Sequence, residues 1–278
     1  FYISKKLNKK IIISPIGALE PWSLNQKKLK KIIAWKIYQK RILNSANIIH
    51  ATSEIEAKNL RDRGITTNIK TIGHGIDLMH NFLPQVKKNK EKIIIFFSRI
   101  HPKKGLLELI KIWKDLKNKE NWKLHIYGPI SDKNYFKKII KSINEKNLSN
   151  DIKYFGSIFN VRVKEKIFNE ANIFILPSKS ENFGISIGEA LSYGLPVITT
   201  LQTPWKIING YNAGYVFNFS EENILNYLNK IINLDPEEHY KMGLNAIKLI
   251  KDNYDSNIIL NQYIDLYKGL HHESFISS

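Results

Sequence analysis

From Lys92 onward, short strand-like segments alternate with stretches of helical periodicity, and few folds accept that alternation. Ile93 to Phe97 contains no polar residue, which marks a strand buried on both faces. Leu106, Leu109, Ile110, Trp113 and Leu116 then fall on one helical face. Trp122 to Tyr127 predicts the next strand, ended by Gly128-Pro129, and Phe136, Ile139, Ile140 and Ile143 predict another amphipathic helix. Ile152 to Phe155, Ile173 to Leu176 and Pro196 to Thr199 follow as strands. Asp235-Pro236-Glu237-Glu238 has the pattern of a capped helix start with proline in first position, opening a helix to about Asp252. Repeated strand-helix units of this kind make an α/β fold with a doubly wound parallel sheet, here over residues 92–252.

Residues 1–82 read as part of a second domain of the same kind. Ile11 to Ser14, Asn47 to Ala51 and Ile69 to Ile72 are its candidate strands. Ser53 and Glu56 have the spacing of a capping box for a helix that Gly64 ends. So few strands make this N-terminal domain incomplete as a nucleotide-binding-type unit. The chain begins at Phe1 rather than Met, so its natural N-terminus is left open. The Pro- and Lys-rich residues 83–91 suit a linker, and residues 253–278 remain beyond the second domain.

Lys and Arg number 43 against 25 Asp and Glu, a formal net charge of +18. That excess implies an anionic partner, or it reflects the general abundance of Lys, Ile and Asn in this chain. No aromatic-basic recognition motif appears, so no nucleic-acid partner is expected. The absence of Cys excludes disulfides and thiolate metal sites and suits a cytoplasmic enzyme. No apolar stretch approaches the ~18 residues of a membrane span, and there is no signal peptide. No His, Asp and Glu spacing suggests a metal site, and no metal or other cofactor is expected.

Two loops carry the chemistry. Ser98-Arg99-Ile100-His101-Pro102-Lys103-Lys104-Gly105 follows the strand 93–97 and opens the next helix. Glu181-Asn182-Phe183-Gly184 follows the strand 173–176 and opens a helix that contains Glu189 and is closed by Gly194. Ligands of open parallel sheets bind at this carboxyl-terminal edge, where helix N-termini offer free N–H groups to anions. Arg99 and Lys104 there neutralise a diphosphate without a metal, unless they are simply solvated cations. Glu181 and Glu189 do not form a glycosidase pair, because one stands on the loop and the other a turn or two into the helix.

Arg99-x4-Lys104-Gly105, Gly156 after a strand, Glu181-x7-Glu189 with Asn182-Phe183-Gly184, and Gly194-Leu195-Pro196-Val197-Ile198 together resemble the retaining GT-B glycosyltransferases of group 1 (family 4). The resemblance covers nearly the whole chain. Ser14-Pro15-Ile16-Gly17-Ala18-Leu19-Glu20-Pro21-Trp22 and Thr203-Pro204-Trp205 are similar to a subgroup that builds bacterial surface polysaccharides such as capsule and lipopolysaccharide. It implies two Rossmann-like domains facing a cleft, with the helix Asn257 to Leu270 crossing back to the N-terminal domain. It also implies sugar transfer, with retention and without a metal, from a nucleotide-diphosphate-sugar (UDP or GDP) to a saccharide or lipid-linked acceptor.

By the same resemblance Arg99 and Lys104 bind the diphosphate and stabilise it as it leaves, and Glu181 lies near the transferred sugar. Asn182, Phe183 and Gly184 present backbone N–H groups to sugar and phosphate, and Glu189 bonds the ribose hydroxyls. The chain departs from the pattern twice. Ile16 stands in a turn where relatives carry His or Arg, and Thr203-Pro204-Trp205 replaces a Gly-Gly pair. The first departure keeps a catalytically inactive nucleotide-sugar-binding subunit as an alternative, and a nucleotide-sugar epimerase on the same fold is another.

Residues 24–43 form a candidate helix in which Lys27, Lys28, Lys30, Lys31, Lys36, Lys40 and Arg41 alternate with Leu29, Ile32, Ile33 and Ile37. It is either the solvated face of a domain helix or a surface resting on anionic lipid at the inner face of the cytoplasmic membrane. His50 and His74 read as hydrogen-bonding structural residues, and Trp35 and Trp113 as packing residues.

Overall fold

A computed structural model describes residues 1–20, 28–78 and 91–272. The chain divides into two compact units: residues 1–75 with 181–183 and 256–278, and residues 76–180 with 184–255. Except for Glu91, the expected linker at 83–91 lies outside the described residues, as do positions 24–27 of the basic helix.

In the first unit, a short helix Tyr2–Lys6 precedes β1 (Ile12–Ile13). A helix then begins at Lys28–Ala34, widens into a π turn at Trp35–Gln39 and ends as Lys40–Asn44. β2 (Ile48–Ala51), the helix Glu54–Asp62 and β3 (Ile69–Thr71) follow. The three strands are parallel in the order β1-β2-β3, with Ile12 opposite Ile48 and Ile49 opposite Ile69. Alternation along β2 sends its side chains to opposite faces. Ile49 packs with Leu43, Ala57 and Leu60, with Trp35 against that cluster. Ile48 packs with Ile259, Leu266 and Leu270 of the helix Ser256–His272.

The capping box expected at Ser53 is half formed. Ser53 accepts the Glu56 N–H at 3.2 Å, but the Glu56 carboxylate turns away from the cap. It accepts the N–H and hydroxyl of Thr52 at 2.8 and 2.9 Å and the Gly17 N–H at 2.6 Å. Nearer, better donors in a buried setting outcompete the local cap.

The second unit holds β4 (Lys92–Phe97), β5 (Trp122–Tyr127), β6 (Ile152–Tyr154), β7 (Ile173–Leu176), β8 (Val197–Thr200) and β9 (Gly214–Phe217). All pairs are parallel, in the order β6-β5-β4-β7-β8-β9. The chain steps outward from β4 to β6, then returns to pair β7 with the other edge of β4. Strand order therefore reverses between β4 and β7, the position at which such sheets bind ligands. Ile94, Ile95, Phe96, Phe174 and Trp113 are fully enclosed, each contributing roughly 1.5–3 kcal/mol by leaving water. At Asp235 both halves of the capping box are present, and the helix runs Pro236–Asn253. Thr203-Pro204-Trp205 is a structural anchor: the Thr203 hydroxyl donates to the Thr200 carbonyl at 2.8 Å, and buried Trp205 lies 4.8 Å from the Tyr254 ring.

Candidate active site

The loops after β4 and β7 emerge from adjacent strands at the reversal of sheet order, and they are bonded to each other. The Lys103 carbonyl accepts the Lys179 N–H at 2.7 Å and the Ser178 hydroxyl at 3.1 Å. The Lys179 ammonium reaches Glu108 at 2.6 Å, on the helix Leu106–Ile112 that the basic loop opens. Ser178 is itself gripped by Thr200, whose hydroxyl donates to the Ser178 carbonyl. These bonds hold the two crossovers together as one wall.

Within that wall Arg99 is exposed at the end of β4, while Lys104 is buried in the turn Pro102–Lys104. His101 caps this turn through Nδ1, which accepts the Lys103 N–H at 3.1 Å. An accepting Nδ1 requires a neutral ring with its proton on Nε2. Burial, then the positive charge of Arg99, hold the His101 imidazolium below its ordinary range, which keeps that acceptor available. Gly105 closes the turn at φ 72°, a left-handed conformation that side chains resist.

Gly184, at φ 80°, starts the helix Ile185–Ser192 in the second unit. Glu189 lies on that helix and pairs with Lys164 at 2.5 Å. Sequence reasoning missed Lys164, whose partner stands 25 residues away on another element.

Glu181, Asn182 and Phe183 count with the first unit, although their chain neighbours count with the second. Glu181 is buried. Asn182 donates to the Thr52 hydroxyl at 2.7 Å, so the Glu56-Thr52 network extends to this loop. Phe183 is buried edge-on against His74, ring centroids 5.0 Å apart. Burial first, and then His50, lower the His74 pKa against an opposing pull from Glu56. His50 is enclosed and bonded to Ser14 at 2.9 Å, to the Ile72 carbonyl at 2.8 Å and to Tyr263 at 3.1 Å.

The turn 16–17 is held from beneath by the bond from Gly17 to Glu56. Ile16 has φ 48° and a side chain 62% exposed, an unfavourable backbone conformation for a β-branched residue. Among the described residues no group of three or more His, Cys, Asp or Glu could hold a metal ion.

The sequence pattern described as Glycosyl transferases group 1 matches residues 81–249. A 41.2 kDa protein of the cps region of Klebsiella pneumoniae is 28% identical over 97% of this chain and 74% of its own length. The GDP-mannose:cellobiosyl-diphosphopolyprenol alpha-mannosyltransferase of Xanthomonas oryzae pv. oryzae is 23% identical over 78% of this chain, which spans only 57% of that relative. Among solved structures, Anabaena Alr3699/HepE in complex with UDP and glucose superimposes with a TM-score of 0.78 at 19% identity, covering 95% of this chain and 73% of that one. The fold is that of the GT-B proteins.

Proposed function

This chain belongs to the glycosyl transferases group 1 family, and from that membership we propose that it transfers a sugar from a nucleotide-diphosphate-sugar to a saccharide or lipid-linked saccharide in surface-polysaccharide assembly. The observation that carries the reading is the bonded pair of loops at the reversal of sheet order, one bearing Arg99 and Lys104, the other leading to Glu181. The names of the relatives support each half of it: UDP and glucose for one, GDP-mannose and a diphosphopolyprenol-linked saccharide for the other.

In this reading Arg99 and Lys104 hold the diphosphate and take up the charge that develops as the sugar leaves. The bond between the sugar C1 and the diphosphate oxygen breaks, the acceptor oxygen bonds to C1, and the acceptor proton passes to the departing phosphate. The new bond forms on the face the diphosphate vacates, so the configuration is retained. Glu181 lies beside the transferred sugar, the Asn182-Phe183-Gly184 backbone meets sugar and phosphate, and Glu189 receives the ribose hydroxyls. No metal takes part. Titration calorimetry with UDP, GDP, ADP and their sugars is expected to find one diphosphate family that binds; binding by none of them ends the proposal.

A second reading, a nucleotide-sugar-binding subunit without turnover, rests on the apolar, exposed Ile16 in the turn where the family carries a polar side chain. Donor binding with no transfer to any acceptor separates it from the first. Product formation without any acceptor would instead indicate an epimerase.

The basic helix bears on the acceptor. Ile32, Ile33, Ile37 and Tyr38 are exposed among Lys30, Lys36, Lys40 and Arg41, so apolar and cationic side chains share its outer surface. That combination suits the anionic inner face of a cytoplasmic membrane carrying a lipid-linked acceptor. Among the described residues no helix is long and apolar enough to cross a membrane. Sedimentation with anionic vesicles is expected at low salt and to weaken at high salt; no binding at low salt removes the membrane contact.

A further inference from the structure

Lys164, like Lys179, pairs with a carboxylate on another element and lies over an aromatic ring. Five of the ion pairs join residues four apart on one helix, an exposed arrangement that stabilises little. Lys164 instead reaches from the helix Val161–Glu170 to Glu189 on the helix Ile185–Ser192, at 2.5 Å, with both side chains little more than a quarter exposed. Its ammonium also stands 5.6 Å from the ring centre of Phe97, the last residue of β4, and 5.8 Å from that of Phe168. The two rings are 5.3 Å apart and Phe168 is fully buried, so the cation rests on a fixed aromatic platform. An anchored donor fixes the carboxylate it bonds. It takes up one oxygen, Oε1, and a carboxylate has about four acceptor positions, enough to receive a vicinal diol as well.

We infer that Lys164 is a positioning residue of the ribose site: it orients the Glu189 carboxylate toward the nucleotide diol. This deepens the proposed function and rests on it.

The test uses Lys164→Met, Lys164→Arg, Glu189→Gln and the Lys164→Met/Glu189→Gln double variant. Each is titrated with UDP and GDP and with their 2′,3′-dideoxy counterparts. Lys164→Met is expected to weaken the ribonucleotide by ~5–20-fold, and Lys164→Arg by less than ~3-fold, since Arg keeps the charge and the aromatic contact. The double variant is expected to bind no worse than Glu189→Gln alone, because the two residues act as one unit. Parent and Lys164→Met are expected to bind the dideoxy nucleotide alike, a pattern that general structural damage does not produce. Undiminished ribonucleotide binding by Lys164→Met, additive losses, or an equal loss with the dideoxy nucleotide overturns the inference. Should Lys164→Met fold poorly by its melting temperature, Lys164→Gln replaces it under the same criteria. A parent protein that binds neither UDP nor GDP overturns the inference too, and ADP then decides whether the proposed function falls with it.

Discussion

Replacing Arg99 with alanine is expected to weaken nucleoside diphosphate binding by about a hundredfold, whereas Glu181→Ala leaves that affinity within about threefold and lowers transfer by at least ~1,000-fold. The asymmetry follows from where the two side chains stand. Arg99 is exposed at the carboxyl end of β4, with its guanidinium accessible to a diphosphate. A hundredfold is about 2.7 kcal/mol, within the ~1.5–3 kcal/mol of a single hydrogen bond between charged partners. Glu181 is a buried carboxylate on the other loop, where a negative group does nothing for an anion but can stabilise positive charge growing at the sugar carbon. Lys104 is a less clean probe, because it is buried and its removal also disturbs the turn beneath it. Calorimetry with the bare diphosphate and a transfer assay at saturating donor separate the two effects. Undiminished nucleotide affinity in Arg99→Ala removes the diphosphate role of the basic loop.

Much of this was readable in the sequence where local pattern decides structure. Trp122–Tyr127 has the ends expected for it, because the alternation of Trp122, Leu124 and Ile126 with Lys123 and His125, closed by Gly128-Pro129, leaves little choice. The Asp235 helix starts where its capping residues put it. β9 was not singled out, since Gly214–Phe217 is four residues long and begins with a glycine at φ 146°. The order of strands leaves no local trace, because it depends on which edge of β4 each crossover returns to. At the candidate site the same division holds. Arg99, Lys104, Glu181 and Glu189 sit in a recognisable spacing. The bonds that hold their loops use the Lys103 carbonyl, a backbone group with no signature in residue types. Glu56 had a local explanation in the capping pattern, yet its carboxylate serves Thr52 and Gly17. Long-range partners such as Asn182 and Thr52, 130 residues apart, are beyond any periodicity.

Gly105→Ala is expected to cost at least ~3 kcal/mol of stability, lowering the melting temperature by on the order of 10 °C, and to weaken diphosphate binding along with it. Gly105 ends the basic turn at φ 72°, where a Cβ alone costs ~1–2 kcal/mol. The added carbon would also overlap the Pro177 carbonyl, with the Phe219 ring 3.2 Å away on another side. Pro177 cannot step aside freely, because the next two residues are bonded to Lys103 and Ser178 is held by Thr200. Relief therefore means moving the loop that carries Arg99 and Lys104 away from the one that follows β7, which couples the loss of stability to the loss of binding. Gly210→Ala provides the contrast: it lies in the short helix Ile207–Tyr211 with nothing within 4 Å of an added Cβ, so alanine there should be neutral or stabilising by ~0.5–1 kcal/mol. Thermal melts of both variants with and without the diphosphate test the coupling. A Gly105→Ala protein that melts with its parent and binds normally would show that the close approach of the two loops is not what holds the proposed diphosphate site in shape.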